Sequence, residues 1–75
     1  MEKYKNLGGN SGLVAYEFED DGIKVQFSDG MIYLWTNQSA GADNVEQMKA
    51  LAVAGRGLNS FIMRRVKNAW ASKTR

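Results

Sequence analysis

The sequence predicts a small α+β domain, a three-stranded antiparallel β-meander followed by two C-terminal α-helices packed on one face. Three observations carry this. The 75 residues leave room for a single core. Three runs rich in β-branched and aromatic residues are punctuated by Asp-Gly steps. Two stretches with helical apolar spacing then follow, separated by glycines.

The chain opens on a predicted flexible leader over residues 1–12, because Gly8, Gly9 and Gly12 crowd the stretch 6–12, whose apolar content is Leu7 alone. A single domain is expected over residues 13–75. The predicted strands are Leu13–Glu19, Ile23–Ser28 and Met31–Thr36. Asp-Gly favours two-residue type I′ hairpins, so the turns are placed on Asp21-Gly22 and Asp29-Gly30. That choice sets the register. It pairs Lys24 with Glu19 and Trp35, and Val25 with Phe18 and Leu34. One face then gathers Val14, Tyr16, Phe18, Ile23, Val25, Phe27, Ile32 and Leu34 as core. The other carries Glu17, Glu19, Lys24, Gln26, Met31, Tyr33 and Trp35, with Glu19 and Lys24 as a cross-strand ion pair.

Residues 37–42 read as a loop. Asp43 and Glu46 have the spacing of a capping box that would start the first helix, with Val45, Met48, Leu51 and Ala52 as its apolar side. Gly55 is placed to end that helix in a left-handed cap, and Gly57 adds a second break. Leu58, Phe61, Ile62, Val66, Ala69 and Trp70 recur at intervals of three and four, predicting a second helix over 59–71. Arg65 falls within that apolar stripe and has to snorkel or meet an acid.

Composition removes most chemistry. With no cysteine and no histidine there is no disulfide framework, no thiol nucleophile and none of the usual zinc ligands. No metal, no cofactor and no catalytic residue is expected. Ser11, Ser28, Ser39, Ser60, Asp43 and Glu46 have no plausible catalytic partner, and Asp20, Asp21 and Asp29 are explained by turn chemistry rather than calcium binding. The protein is therefore expected not to be an enzyme. No apolar run reaches the ~20 residues of a membrane span, and no signal-peptide core follows Met1, so a cytoplasmic protein with no membrane partner is expected.

Charge is divided along the chain. Residues 1–54 hold all eight acids against four lysines, a net −4, whereas residues 55–75 hold six cations and no acid.

The order of three strands, an aromatic pair, a helix, a glycine turn and a helix resembles the KTSC domain family, found at the C-terminus of some lysyl-tRNA synthetases and as small free-standing bacterial proteins. The resemblance spans residues 11–62. It rests on Ser11, on Ala15-Tyr16-Glu17, on Tyr33-Leu34-Trp35 and on the stretch Gly55-Arg56-Gly57-Leu58-Asn59-Ser60-Phe61-Ile62. Trp35 stands in place of a second tyrosine, Gly57 in place of an aromatic and Val53 in place of a serine. The resemblance implies the same α+β fold, no assigned enzymatic activity and a suggested role in RNA binding.

Two features could form a working surface. Tyr33 and Trp35 beside Lys24 could stack exposed bases, with packing beneath the second helix as the competing account. Arg56, Arg64 and Lys67 belong to a basic segment suited to phosphates, although cations near a helix C-terminus are also favoured by the helix dipole. The leading expectation is a non-catalytic binding module for nucleic acid, with single-stranded RNA as partner. The alternative is a protein-interaction module docking on an acidic protein surface, or a self-associating one, with no nucleic-acid role.

Overall fold

In the computed structural model, which describes residues 1–9 and 12–75, the sheet comprises β1 (Glu2–Lys3), β2 (Leu13–Glu19), β3 (Gly22–Phe27), β4 (Ile32–Thr36) and β5 (Ser72–Thr74). The strands lie in chain order, each antiparallel to the next. The helices are α1 (Asn37–Ala40), α2 (Ala42–Ala54) and α3 (Leu58–Phe61), the last continuing as a π-helical turn over Ile62–Val66. The α+β class and the central meander match expectation. The described residues nonetheless form five strands and three helices, not three strands and two helices.

Both hairpins close differently from the predicted type I′ turns. Glu19 pairs with Gly22 across a loop of Asp20 and Asp21, neither of which has positive φ. Gly22 is thus a strand residue. Its role is close approach: a Cβ there would collide with the Trp35 carbonyl oxygen of β4. The second hairpin uses a three-residue loop, Ser28-Asp29-Gly30. The Gly30 N–H donates to the Phe27 carbonyl (2.9 Å), the Phe27 N–H donates to the Met31 carbonyl (2.9 Å) and Gly30 sits at φ 90°, the pattern of a turn followed by a glycine bulge. Asp29 Oδ1 accepts from the Met31 N–H at 2.9 Å and holds the loop.

The extra loop residue moves β4 by one position against β3, so that Ile23 faces Trp35, Lys24 faces Leu34 and Val25 faces Tyr33. Because side chains alternate, a one-residue shift exchanges the faces of the whole strand. Tyr33 and Trp35 turn inward, whereas Ile32 and Leu34 join Lys24 and Gln26 on the outer face. The first hairpin is displaced by two residues, which preserves the faces but gives Lys24 the partner Glu17 rather than Glu19. Val14 and Phe18, expected in the core, are exposed. An irregularity between Leu13 and Ala15 buries Leu13 in place of Val14. Phe18 lies near the hairpin end under the Lys49 ammonium, 5.5 Å from its ring centre.

The first nine residues are not a free leader. Glu2 and Lys3 pair with Tyr16 and Ala15, Tyr4 is buried and the Leu7 N–H donates to the Gly55 carbonyl at 2.6 Å. A buried tyrosine supplies the apolar area that offsets the entropy of ordering a glycine-rich segment.

The helices also start elsewhere than expected. Thr36 and Ser39, not Asp43 and Glu46, form a capping box, and it starts α1. Gly41 separates α1 from α2, leaving Asp43 in the first turn of α2, where its charge suits the helix N-terminus without a capping bond. Val45, Met48 and Ala52 face the core. Gly55 ends α2 at φ 78° and Gly57 precedes α3 at φ 82°, as the glycine spacing predicts.

The second helix does not run to Ala71. The buried Trp35 indole N–H donates to the Val66 carbonyl at 2.8 Å, the Ala69 N–H donates to the same oxygen at 2.9 Å and the Ala71 N–H donates to the Leu34 carbonyl at 2.6 Å. The chain leaves the helix for the sheet edge. Before that exit, the wider π turn spaces Ile62 and Val66 so that both are buried while Met63, Arg64 and Arg65 are all exposed. Arg65 is thereby taken out of the apolar stripe and reaches solvent.

Candidate functional site

The six residues singled out from sequence separate into three places. Lys24 is half-buried on the outer face of the sheet, between Glu17 and Leu34 on neighbouring strands. Arg56 is exposed and borders a shallow depression with Asn6, Gly57, Asn59 and Ser60. Arg64 is exposed, with its Nε donating to the Ser60 carbonyl at 3.3 Å. Tyr33, Trp35 and Lys67 border one groove, on the opposite face of the sheet from Lys24. Trp35, 1% exposed, lies beneath it as support and is not an exposed stacking surface. The outer-face platform of Lys24, Tyr33 and Trp35 is therefore corrected. Ser11 lies outside the described residues.

The groove has a volume of 530 Å³. Its floor is aromatic. Tyr33 stacks on Trp35 with ring centres 5.7 Å apart and meets Phe27 and Trp70 edge-on at 5.6 and 5.8 Å. Phe27, Tyr33 and Trp70 are each half-buried and line the groove. One wall is the hairpin loop at Ser28 and Asp29. The other is the segment carrying Ile62, Met63, Lys67 and Asn68. Lys73, opposite Tyr33 across the β4–β5 pair, places its ammonium 5.1 Å from the Trp70 ring centre.

Trp70, Phe27 and Lys73 were not singled out from sequence as site residues. Trp70 follows the apolar spacing of a helix, and only the early exit of the chain at Val66 brings it to the groove. Phe27 reads as core, and the three-residue loop makes it part of the floor. Lys73 carries a readable signal, since it belongs to the acid-free basic segment, but its place opposite Tyr33 depends on β5.

Among the described residues one ion pair is present, between the Met1 amino group and Glu17 at 3.9 Å. Arg56, Arg64, Arg65, Lys67, Lys73 and Arg75 are exposed and make no ion pair to an acid among the described residues. No group of histidine, cysteine or acidic side chains among the described residues could hold a metal ion, and no helix among them is long and apolar enough to cross a membrane. Compared with known proteins, the chain matches no family model, no curated protein and no solved structure.

Proposed function

We propose that the protein is a non-catalytic binding module whose basic C-terminal surface takes nucleic acid. One observation carries this reading: six exposed cations from residues 55–75 stand without an acidic partner among the described residues, and two of them, Lys67 and Lys73, border an aromatic groove. Unpaired surface cations attract phosphates and gain from releasing the counterions condensed there. A chain without histidine or cysteine offers little for acid–base or nucleophilic chemistry. The KTSC resemblance, with the bacterial source it implies and a cytoplasmic setting, belongs to the same reading and is supported by the order of elements in the sequence.

The test is binding of labelled single-stranded RNA and DNA across a salt series, followed by fluorescence anisotropy. Affinity is expected to fall linearly on a log–log plot, by roughly 0.7 per neutralised phosphate. The double variant Arg64→Ala, Lys67→Ala is expected to bind every sequence more weakly, with a slope smaller by about 1 to 1.5. Absence of binding at low salt would overturn the proposal in favour of a protein-interaction or self-associating module.

A further inference from the structure

We infer that the groove floored by Phe27, Tyr33 and Trp70 receives an unpaired base of a single-stranded nucleic acid, whose flanking phosphates are met by Lys67 and Lys73. This rests on the nucleic-acid reading above and adds to it the groove that receives an unpaired base and the residues that stack on it and meet its phosphates.

The floor is preorganised. Tyr33 is held by Trp35 below it and by Phe27 and Trp70 at its edges, and Trp35 is fixed by its bond to the Val66 carbonyl. Rings held this way lose little freedom when a flat ligand arrives. Met63, 48% exposed on the wall, adds an adaptable apolar contact. The groove also has polar groups where a base has edges and phosphates. The Asn68 amide can donate and accept, and Lys67 and Lys73 are cations. Asp29 is the acid in the lining, and its Oδ1 is engaged by the Met31 N–H. The charge balance therefore favours an anionic partner.

Strandedness follows from recess. The three aromatic residues are half-buried along the groove, and a base inside a duplex offers only its edges, whereas an unstacked base offers its whole face. Lys73 covers part of the Trp70 ring in the free protein. An exposed cation–π contact corresponds to about a two- to five-fold effect, whereas base–aromatic stacking corresponds to about 5- to 150-fold. A base therefore displaces the Lys73 ammonium from the ring and leaves it free for the adjoining phosphate.

The experiment compares a 12-nucleotide oligo(U) and oligo(dT) with a duplex of about the same length, for wild type and for Trp70→Ala, Trp70→Phe and Lys73→Gln, each checked for folding by circular dichroism. Single strands are expected to bind wild type more tightly than duplex. Trp70→Ala is expected to lose about 5- to 150-fold in single-strand affinity with the salt slope unchanged. Trp70→Phe should retain most of the affinity, and Lys73→Gln should flatten the slope. Independently of any variant, single strands should shield wild-type tryptophan emission from acrylamide, because Trp35 is already buried and Trp70 is the accessible fluorophore. Equal affinity for single strand and duplex, no change in shielding, or a folded Trp70→Ala protein that binds normally would overturn the inference and leave phosphate binding intact. Failure to bind either form at low salt would remove the nucleic-acid reading itself. Shielding by a poly-glutamate peptide but not by oligonucleotides would assign the groove to an acidic protein segment instead.

Discussion

At position 35 the indole that sequence pattern offers to a ligand is spent on the protein itself. It is buried against Tyr33 and bonded to the Val66 carbonyl. A domain of this size has a stability of roughly 4–11 kcal/mol, at 0.05–0.15 kcal/mol per residue, and truncating a buried tryptophan costs about 3–5 kcal/mol. Trp35→Ala is accordingly expected to lower stability by about 3–5 kcal/mol, a large share of the total, measured by the midpoint of urea unfolding. Half-buried Trp70→Ala should lose about 1–2 kcal/mol. Similar losses at both sites would show that Trp35 does not hold the core as described. Gly22 teaches a related lesson. Its letter beside Asp21 reads as a turn glycine, yet its place is explained by the Trp35 carbonyl of the neighbouring strand. Such an approach depends on register, so it is not visible in local sequence.

The three central strands were legible as elements because β-branched and aromatic residues fill them and turn residues interrupt them. Their pairing was not. One additional loop residue at Ser28-Asp29-Gly30 exchanges the faces of β4, and Asp-Gly chemistry is compatible with both loop lengths. The end of α2 was legible because Gly55 takes the left-handed conformation that ends many helices. The end of the last helix was not, since the group that takes its carbonyl comes from Trp35, far away in the chain. Beyond that point the Ala71 N–H, bonded to the Leu34 carbonyl, starts β5. Ala71→Pro removes this donor and is expected to cost about 1–3 kcal/mol. It should also raise the accessibility of Trp70 to acrylamide as β5 loosens. Unchanged stability and accessibility would mean that β5 contributes nothing to the groove wall.

Considered as a whole, the molecule is closed by its N-terminal segment. Tyr4 is buried beside α3, its hydroxyl oxygen accepting a long bond from the buried Leu58 N–H at 3.4 Å. Glycine content made this segment read as a leader, and the single tyrosine ahead of it was too weak a signal to reverse that. Tyr4→Ala is expected to cost about 3–5 kcal/mol in thermal or urea unfolding, whereas a residue in a free leader would change stability by less than about 0.5 kcal/mol. The candidate surface was legible in part. Charge division survives any folding error, so the basic segment could be recognised, and Tyr33 and Lys67 do border the groove. Phe27, Trp70 and Lys73 could not be joined to them without the true register and the fifth strand.

The linear order of the sheet also gives the molecule an uneven rigidity. The inner strands β2, β3 and β4 each have a partner on both sides, while β1 and β5 are two or three residues long and each is paired on one edge only. Short, exposed strands with few apolar contacts open first in native-state fluctuations. Opening at β5 releases Lys73 and the chain beside Trp70 without disturbing Ile23 or Val25 in the core. The groove thus has most of its preorganised floor on the inner strands and one side, at Lys73, on an edge that opens readily, so a ligand held there would also lower how often that edge of the sheet comes apart.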